Sequence, residues 1–294
     1  MSKTDEIEAS AAPLIEHLTE LRNRLIWAVV SYIVAILLCF TFAETILSFM
    51  LQPIEEAMRA LGDPNPVMQY TAPQEYFFTL VRISMVAGFG VAFPVIAYQL
   101  WRFVAPGLYR NEKAAFLPFL IASPVLFFIG AAFSHFVVTP IAMSFFLGFA
   151  DAASLVATII PDVAAVQGGT PVVDSGIDIV FQGKVNETLD ISLKLVIAFG
   201  LCFQMPVLLT LLGKAGMVSS AGLIAVRKYA VVLILIVAAV VTPPDLMSQI
   251  ILFAAVYPLY EISIFLIRRI EKRREAELRA EGLWDEEDDE EAAK

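Results

Sequence analysis

The sequence offers little from which to build a cross-linked, metal-bound or nucleotide-binding protein. It has two cysteines, Cys39 and Cys202, and both sit inside apolar runs, which argues against a disulfide framework and leaves the redox compartment open. Its two histidines, His17 and His135, are far apart and form no cluster with cysteine or carboxylate at metal-ligand spacing. Gly213-Lys214 lacks both the upstream glycine and the following Ser/Thr of a phosphate-cradling loop. Catalysis therefore has no residue set behind it, and neither an enzymatic activity nor a cofactor is expected. The opening SKTDEIEAS has no basic n-region, so a cleaved signal peptide is not expected either. Base-rich surface of the kind that binds nucleic acid is also missing. The formal charge is −10, and much of it comes from eight acids within Glu281–Glu291.

What the chain has in quantity is apolar length. Hydrophobic residues make up 59% of it and the mean hydropathy is +0.75, with the apolar residues gathered into long blocks. That pattern defines an all-α polytopic membrane protein. Residues 1–24 read as an amphipathic lead-in, with Pro13 in a first turn and Leu14, Leu18, Leu21 and Leu25 at three- and four-residue steps. Six spans are expected within 25–267: about 25–43, 76–98, 114–149, 191–213, 229–241 and 246–267. The fifth is short, 13 residues or about 20 Å against a core of about 30 Å. Residues 268–294 read as a basic, then acidic, disordered tail.

Between the first two spans, the patches Ile46–Leu51 and Ile54–Met58 predict short surface helices, and Asp151–Asp190 leaves room for one hairpin. Pro94, Pro118, Pro124, Pro140, Pro206 and Pro258 are places where spans can bend. With two short final spans, they predict a curved, cup-like wall.

Charge asymmetry sets the orientation. Lys and Arg number three in the N-terminal arm, three in the hinge Tyr98–Lys113, three in Lys214–Lys228 and seven in the tail. The alternate loops hold only Arg59 and Lys184, so both termini are predicted to be cytoplasmic.

Polar residues in or beside the spans are the candidates for function. Glu20 reads either as half of a Glu20–Arg24 helix pair or as a ligand-binding carboxylate. Glu112 reads either as a first-turn acid favoured by the helix dipole or as a second such carboxylate. Together they would suit an arginine-bearing, hydrophobic peptide. Gln204, mid-span, reads either as internal packing glue or as the docking point for another subunit's helix. Glu261 inside the last span must be paired, protonated or wet. Arg82 and Lys194 read as structural residues that snorkel outward. A small-solute secondary transporter is the alternative. It predicts polar groups converging at mid-membrane and an internal repeat, and no repeat is visible.

Four stretches resemble the TatC subunit of the twin-arginine protein translocase: LIEHLTELRNRL at 14–25, YQLWRFVAPGLYRNEK at 98–113, AFG…F.MPV at 198–207 and VTPPDLMSQ at 241–249. The resemblance extends over roughly 14–270. It implies a receptor in the bacterial cytoplasmic membrane that binds twin-arginine signal peptides of folded precursors. It also implies assembly with the single-span subunits TatA and TatB, self-association in a larger complex, and transport driven by the proton-motive force. Glu20 and Glu112 fall at the family's signal-peptide-contacting acids, and Arg22, Phe103 and Tyr109 in the same motifs are grouped with them. Gln204, with Met205 and Pro206, is assigned to partner-helix docking; many members carry Glu where this chain has Gln204. Pro53, Asp245 and Glu261 are further structural or functional positions.

Overall fold

The structure is a computed structural model that describes residues 3–60, 63–104, 113–148, 183–241 and 246–280. Within those residues the chain is helical apart from turns and one pair of two-residue strands. Helix α1, Lys3–Thr41, joins the amphipathic lead-in to the first span without a break. One helix, α2 (Ala43–Ala60), replaces the two short surface helices expected after it. Its Leu47, Ile54, Ala57 and Met58 recur at helical spacing and are buried, so this helix packs by one apolar face. Pro53 lies buried inside it.

Strand β1 (Met68–Gln69) precedes α3 (Pro73–Val104), and β2 (Gly183–Lys184) precedes α5 (Val185–Cys202). The two strands pair in parallel, Met68 with Gly183 and Gln69 with Lys184. These residues thus join the second long connection to the first, while 151–182, where a hairpin was expected, lies outside the described residues. The pairing starts α3 and α5 side by side.

Helix α4, Lys113–Phe133, continues through a π-helical turn, Ser134–Val138, to residue 148. The cause stands two residues after that turn. Pro140 has no N–H, and its ring would crowd the carbonyl four residues earlier in a regular helix. The Thr139 N–H bonds instead to the Ser134 carbonyl, widening the turn before the proline. The fourth apolar run likewise breaks at Phe203–Gln204, just ahead of Pro206, into α5 and α6 (Met205–Lys214).

A short helix α7 (Ser220–Ala225), capped by Ser219 through the Gly222 N–H, leads to α8 (Arg227–Val241) and then α9 (Leu246–Ala280). Disorder expected from residue 268 is corrected here: the basic stretch continues α9 up to Ala280. The reason is tertiary. The Glu271 side chain accepts from the buried Ser220 N–H at 2.8 Å, holding the base of α9 against α7.

Among the described residues, five helical stretches are long and apolar enough to cross a membrane: Leu18–Thr41, Pro73–Phe103, Pro118–Gly148, Val185–Lys214 and Ser248–Glu277. The 15-residue α8 is apolar but short, about 22 Å. Helix α1 lies mainly on α3, α3 also on α4, α4 on α5, and α9 on both α6 and α8. Close approach is built in by small residues. A Cβ on Gly130 would sit 2.6 Å from the Phe199 carbonyl oxygen, and one on Gly88 2.9 Å from the Ile36 nitrogen. The largest apolar cluster among the described residues gathers Val138, Leu195, Phe199, Leu252, Val256 and Ile267, among others, mostly from the second half of the chain. A second unites Phe93, Ala97, Trp101, Phe127, Val207 and Leu211, with the Phe93 and Phe127 rings stacked at 4.0 Å.

Candidate functional site

The end of α3 farthest from β1 comes beside the middle of α1. There Glu20, Asn23, Arg24 and Trp27 of α1 face Gln99 and Arg102 of α3 around an open groove of about 510 Å³. The amphipathic period of the lead-in puts Glu20, Asn23, Arg24 and Trp27 on one stripe, at steps of three and four. Arg24 engages Glu20 through both Nε, at 3.0 Å, and Nη2. The pair is partly exposed, with the arginine side chain at 14% and the carboxylate at 36%. The groove is therefore lined by an acid already presented with a guanidinium, by a second guanidinium, and by two amides.

Arg102 donates to the Tyr98 hydroxyl at 2.9 Å, and its guanidinium lies 5.7 Å from the centre of that ring. The cation is thus braced by its own helix on the α3 side of the groove. Arg22 is exposed, on another face of α1, and Phe103 is half-buried. Trp101, next to Arg102 in the chain, packs in the core at 5% exposure, and its indole N–H has no partner among the described residues. Of the signal-peptide residues expected from sequence, Glu20 lines the groove, while Glu112 and Tyr109 lie outside the described residues, as does Asp245. Asn23, Trp27, Gln99 and Arg102 were missed as site residues. The stripe on α1 was readable from spacing, but the partnership with α3 was not.

Gln204 is bonded inside the protein. Its Oε1 accepts from the Ser123 hydroxyl at 2.6 Å, and its Nε2 donates to the Ser123 carbonyl at 3.0 Å and the Gly200 carbonyl at 3.5 Å. Met205 is half-buried and Pro206 buried beside it. Glu261 of α9 is paired rather than isolated, with Arg227 Nη2 at 2.6 Å and the Tyr257 hydroxyl donating at 3.0 Å. The polar groups that a solute pathway would bring together thus have separate partners, on separate helix pairs.

Arg82 and Lys194, read from sequence as structural residues that snorkel outward, both pair with Asp190. Among the described residues no group of three His, Cys, Asp or Glu is placed to hold a metal ion. Cys39 and Cys202 are free thiols.

A polytopic helical bundle with an open, charged groove at one end of two of its apolar helices belongs to the class of helical membrane proteins. The chain is similar along most of its length to known proteins of that class. The family described as "Sec-independent protein translocase protein (TatC)" matches residues 16–254. The Magnetococcus marinus protein of that name is 43% identical over 274 residues, covering 93% of this chain and 90% of that one. Its Aquifex aeolicus counterpart is 36% identical over 254 residues, covering 86% and 94%. A crystal structure of the twin-arginine translocase receptor TatC superposes with a TM-score of 0.68 at 34% identity, covering 87% of this chain and 99% of that one. The chain belongs to the TatC family of protein translocase components.

Proposed function

We propose that this chain is the receptor subunit of a twin-arginine translocase, and that the α1–α3 groove takes the arginines of a signal peptide. The observation that carries the reading is the half-exposed Glu20 carboxylate opening into a groove wide enough for side chains. A carboxylate accepts a guanidinium by two parallel bonds, whereas lysine brings a point charge, so such a groove prefers paired arginines. In this structure Arg24 holds the position that a peptide arginine would take, and the peptide must share or displace it. Glu112, in the hinge that follows α3 in the sequence, is the second carboxylate of this reading, and Arg22, Phe103 and Tyr109 are further signal-peptide-binding residues in it.

The wider reading follows from charge and apolar length. Short α8 makes the sixth span, the base-rich segments face the cytoplasm, and both termini are cytoplasmic, in the bacterial inner membrane. TatA and TatB are the partners, the complex holds several copies, and the proton-motive force drives export. A partner's helix would meet the surface around Gln204, Met205 and Pro206, where Leu201 and Leu208 are exposed on either side. Pro53, Asp245 and Glu261 support the frame.

The test is site-specific crosslinking of a twin-arginine precursor and its twin-lysine counterpart to wild type and Glu20→Gln in membranes. We expect the wild type to favour the arginine form and Glu20→Gln to lose most of that preference while still inserting. Equal crosslinking of both peptides to wild type would remove the groove from recognition.

A further inference from the structure

At the opposite end of α3 the structure gathers a second charged cluster with a different balance. Arg82 Nη1 donates to Asp190 Oδ1 at 2.9 Å and to Asn186 Oδ1 at 3.1 Å, and Lys194 Nζ lies 2.6 Å from Asp190 Oδ2. Both oxygens of the one carboxylate are engaged, yet two cations meet it, leaving an excess of one positive charge. Both hydrogen bonds of Arg82 leave from Nη1, so its Nε–Nη2 edge lies outside the cluster. That edge is the fork that takes a phosphate bidentately. The cations are open to the surroundings, Arg82 at 46% and Lys194 at 66% side-chain exposure.

Those surroundings on α3 are apolar. Phe78 and Met85 stand one turn before and after Arg82 on the same face of α3, and both are exposed. The parallel β1–β2 pair starts α3 and α5 together, and Arg82 and Lys194 each stand nine residues into their helices. Each is therefore about 14 Å along its helix, near the interface of a ~30 Å hydrocarbon layer centred on the span. Side chains lean toward a helix's N-terminus and long cationic ones reach up to headgroup level. An uncompensated cation at this depth is costly unless an anion or water joins it.

We propose that Arg82 and Lys194 form a binding site for the phosphate of an anionic phospholipid, in the leaflet away from the Glu20 groove. The acyl chains lie along Phe78 and Met85. Asp190 holds the two cations in register and sets their net charge. A lipid source is favoured over free phosphate because the cations rise from an exposed apolar stripe rather than from a watery loop.

The experiment measures lipid retention by native mass spectrometry on purified full-length protein exchanged into mixed micelles. The probes are phosphatidylglycerol, zwitterionic phosphatidylcholine and inorganic phosphate. Wild type should retain phosphatidylglycerol over phosphatidylcholine. Arg82→Gln and Lys194→Gln should each lower that retention by about fivefold, from about 1 kcal/mol per cation near a charged lipid surface. The charge-conserving double variant Arg82→Lys/Lys194→Arg should keep most of it, which separates loss of charge from loss of fold. Asp190→Asn should raise it. Equal phosphatidylglycerol retention by wild type and the Gln variants would overturn the proposal. So would displacement of that lipid by millimolar inorganic phosphate, which would mark a soluble-anion site. A third contrary outcome is capture of a membrane peptide bearing a matched acid with no preference among lipids, which would assign the site to a protein partner.

Discussion

At the residue scale, the groove turns on one carboxylate and the guanidinium that covers it. The Glu20–Arg24 pair was readable from i,i+4 spacing, because helical geometry alone brings those side chains together. Each charge-assisted bond to Glu20 contributes about 1.5–3 kcal/mol, less where water enters. Glu20→Gln should therefore weaken twin-arginine peptide binding by at least tenfold. Arg24→Gln should strengthen it by removing the internal competitor; peptide titration on purified protein reads both, and weaker binding by Arg24→Gln would show that arginine to be part of the acceptor.

Gln204 illustrates the opposite case. Its need for a partner was legible, since a polar amide in hydrocarbon seeks one, but Ser123 stands 81 residues away and no local rule selects it. Gln204→Leu should cost about 1 kcal/mol of stability, read as a lower melting temperature, while the protein still accumulates. Retained stability together with loss of TatA or TatB copurification would place its main role at the partner surface instead.

At the scale of elements, the apolar runs foretold most helices, because hydrocarbon leaves a backbone few alternatives to internal hydrogen bonding. What they left open was where helices break or continue. Prolines marked the sites, but the π turn before Pro140 and the break before Pro206 depend on how each helix recovers its carbonyls. The continuation of α9 to Ala280 depends on Glu271 meeting the Ser220 N–H, a contact across 51 residues. Deleting 281–294 should leave folding and export largely unchanged. Truncation at 267 removes Glu271 and should reduce accumulation in membranes, measured by immunoblot after membrane fractionation; full accumulation would make the α9–α7 contact dispensable.

Helix contacts make the same point through glycine. Gly130→Ala should cost about 1–3 kcal/mol, since its Cβ would press on backbone of α5 that cannot move alone. Gly90→Ala meets only the Phe127 ring edge at 3.8 Å and should be nearly silent in the same thermal melt.

At the scale of the whole molecule, α3 and α5 each touch several helices, whereas α1 lies mainly on α3. Helix α1 in particular leaves a long apolar face to lipid or to another chain, including Ile26, Val30, Ile33, Leu37 and Phe40. Orientation belongs to this scale too. Single cysteines at Ala221 and Asp63, in an otherwise cysteine-free background, should respond oppositely to an impermeant thiol reagent in intact cells. Asp63 should label and Ala221 should not, and the reverse would invert the proposed topology.

The sequence by itself determined that the chain is a helical membrane protein, which stretches are long and apolar, which segments are base-rich, and which family its motifs resemble. These are properties of composition and local spacing, and they need no knowledge of neighbours. Only the tertiary structure decided which helices touch. It joined Met68 to Gly183, set Gln99 and Arg102 opposite Glu20, closed Ser123 on Gln204, and brought Arg82 to Asp190. Each of these contacts spans tens of residues or more. Their partners are chosen by how close small residues let two helices come and at what depth each begins, which a linear pattern does not record.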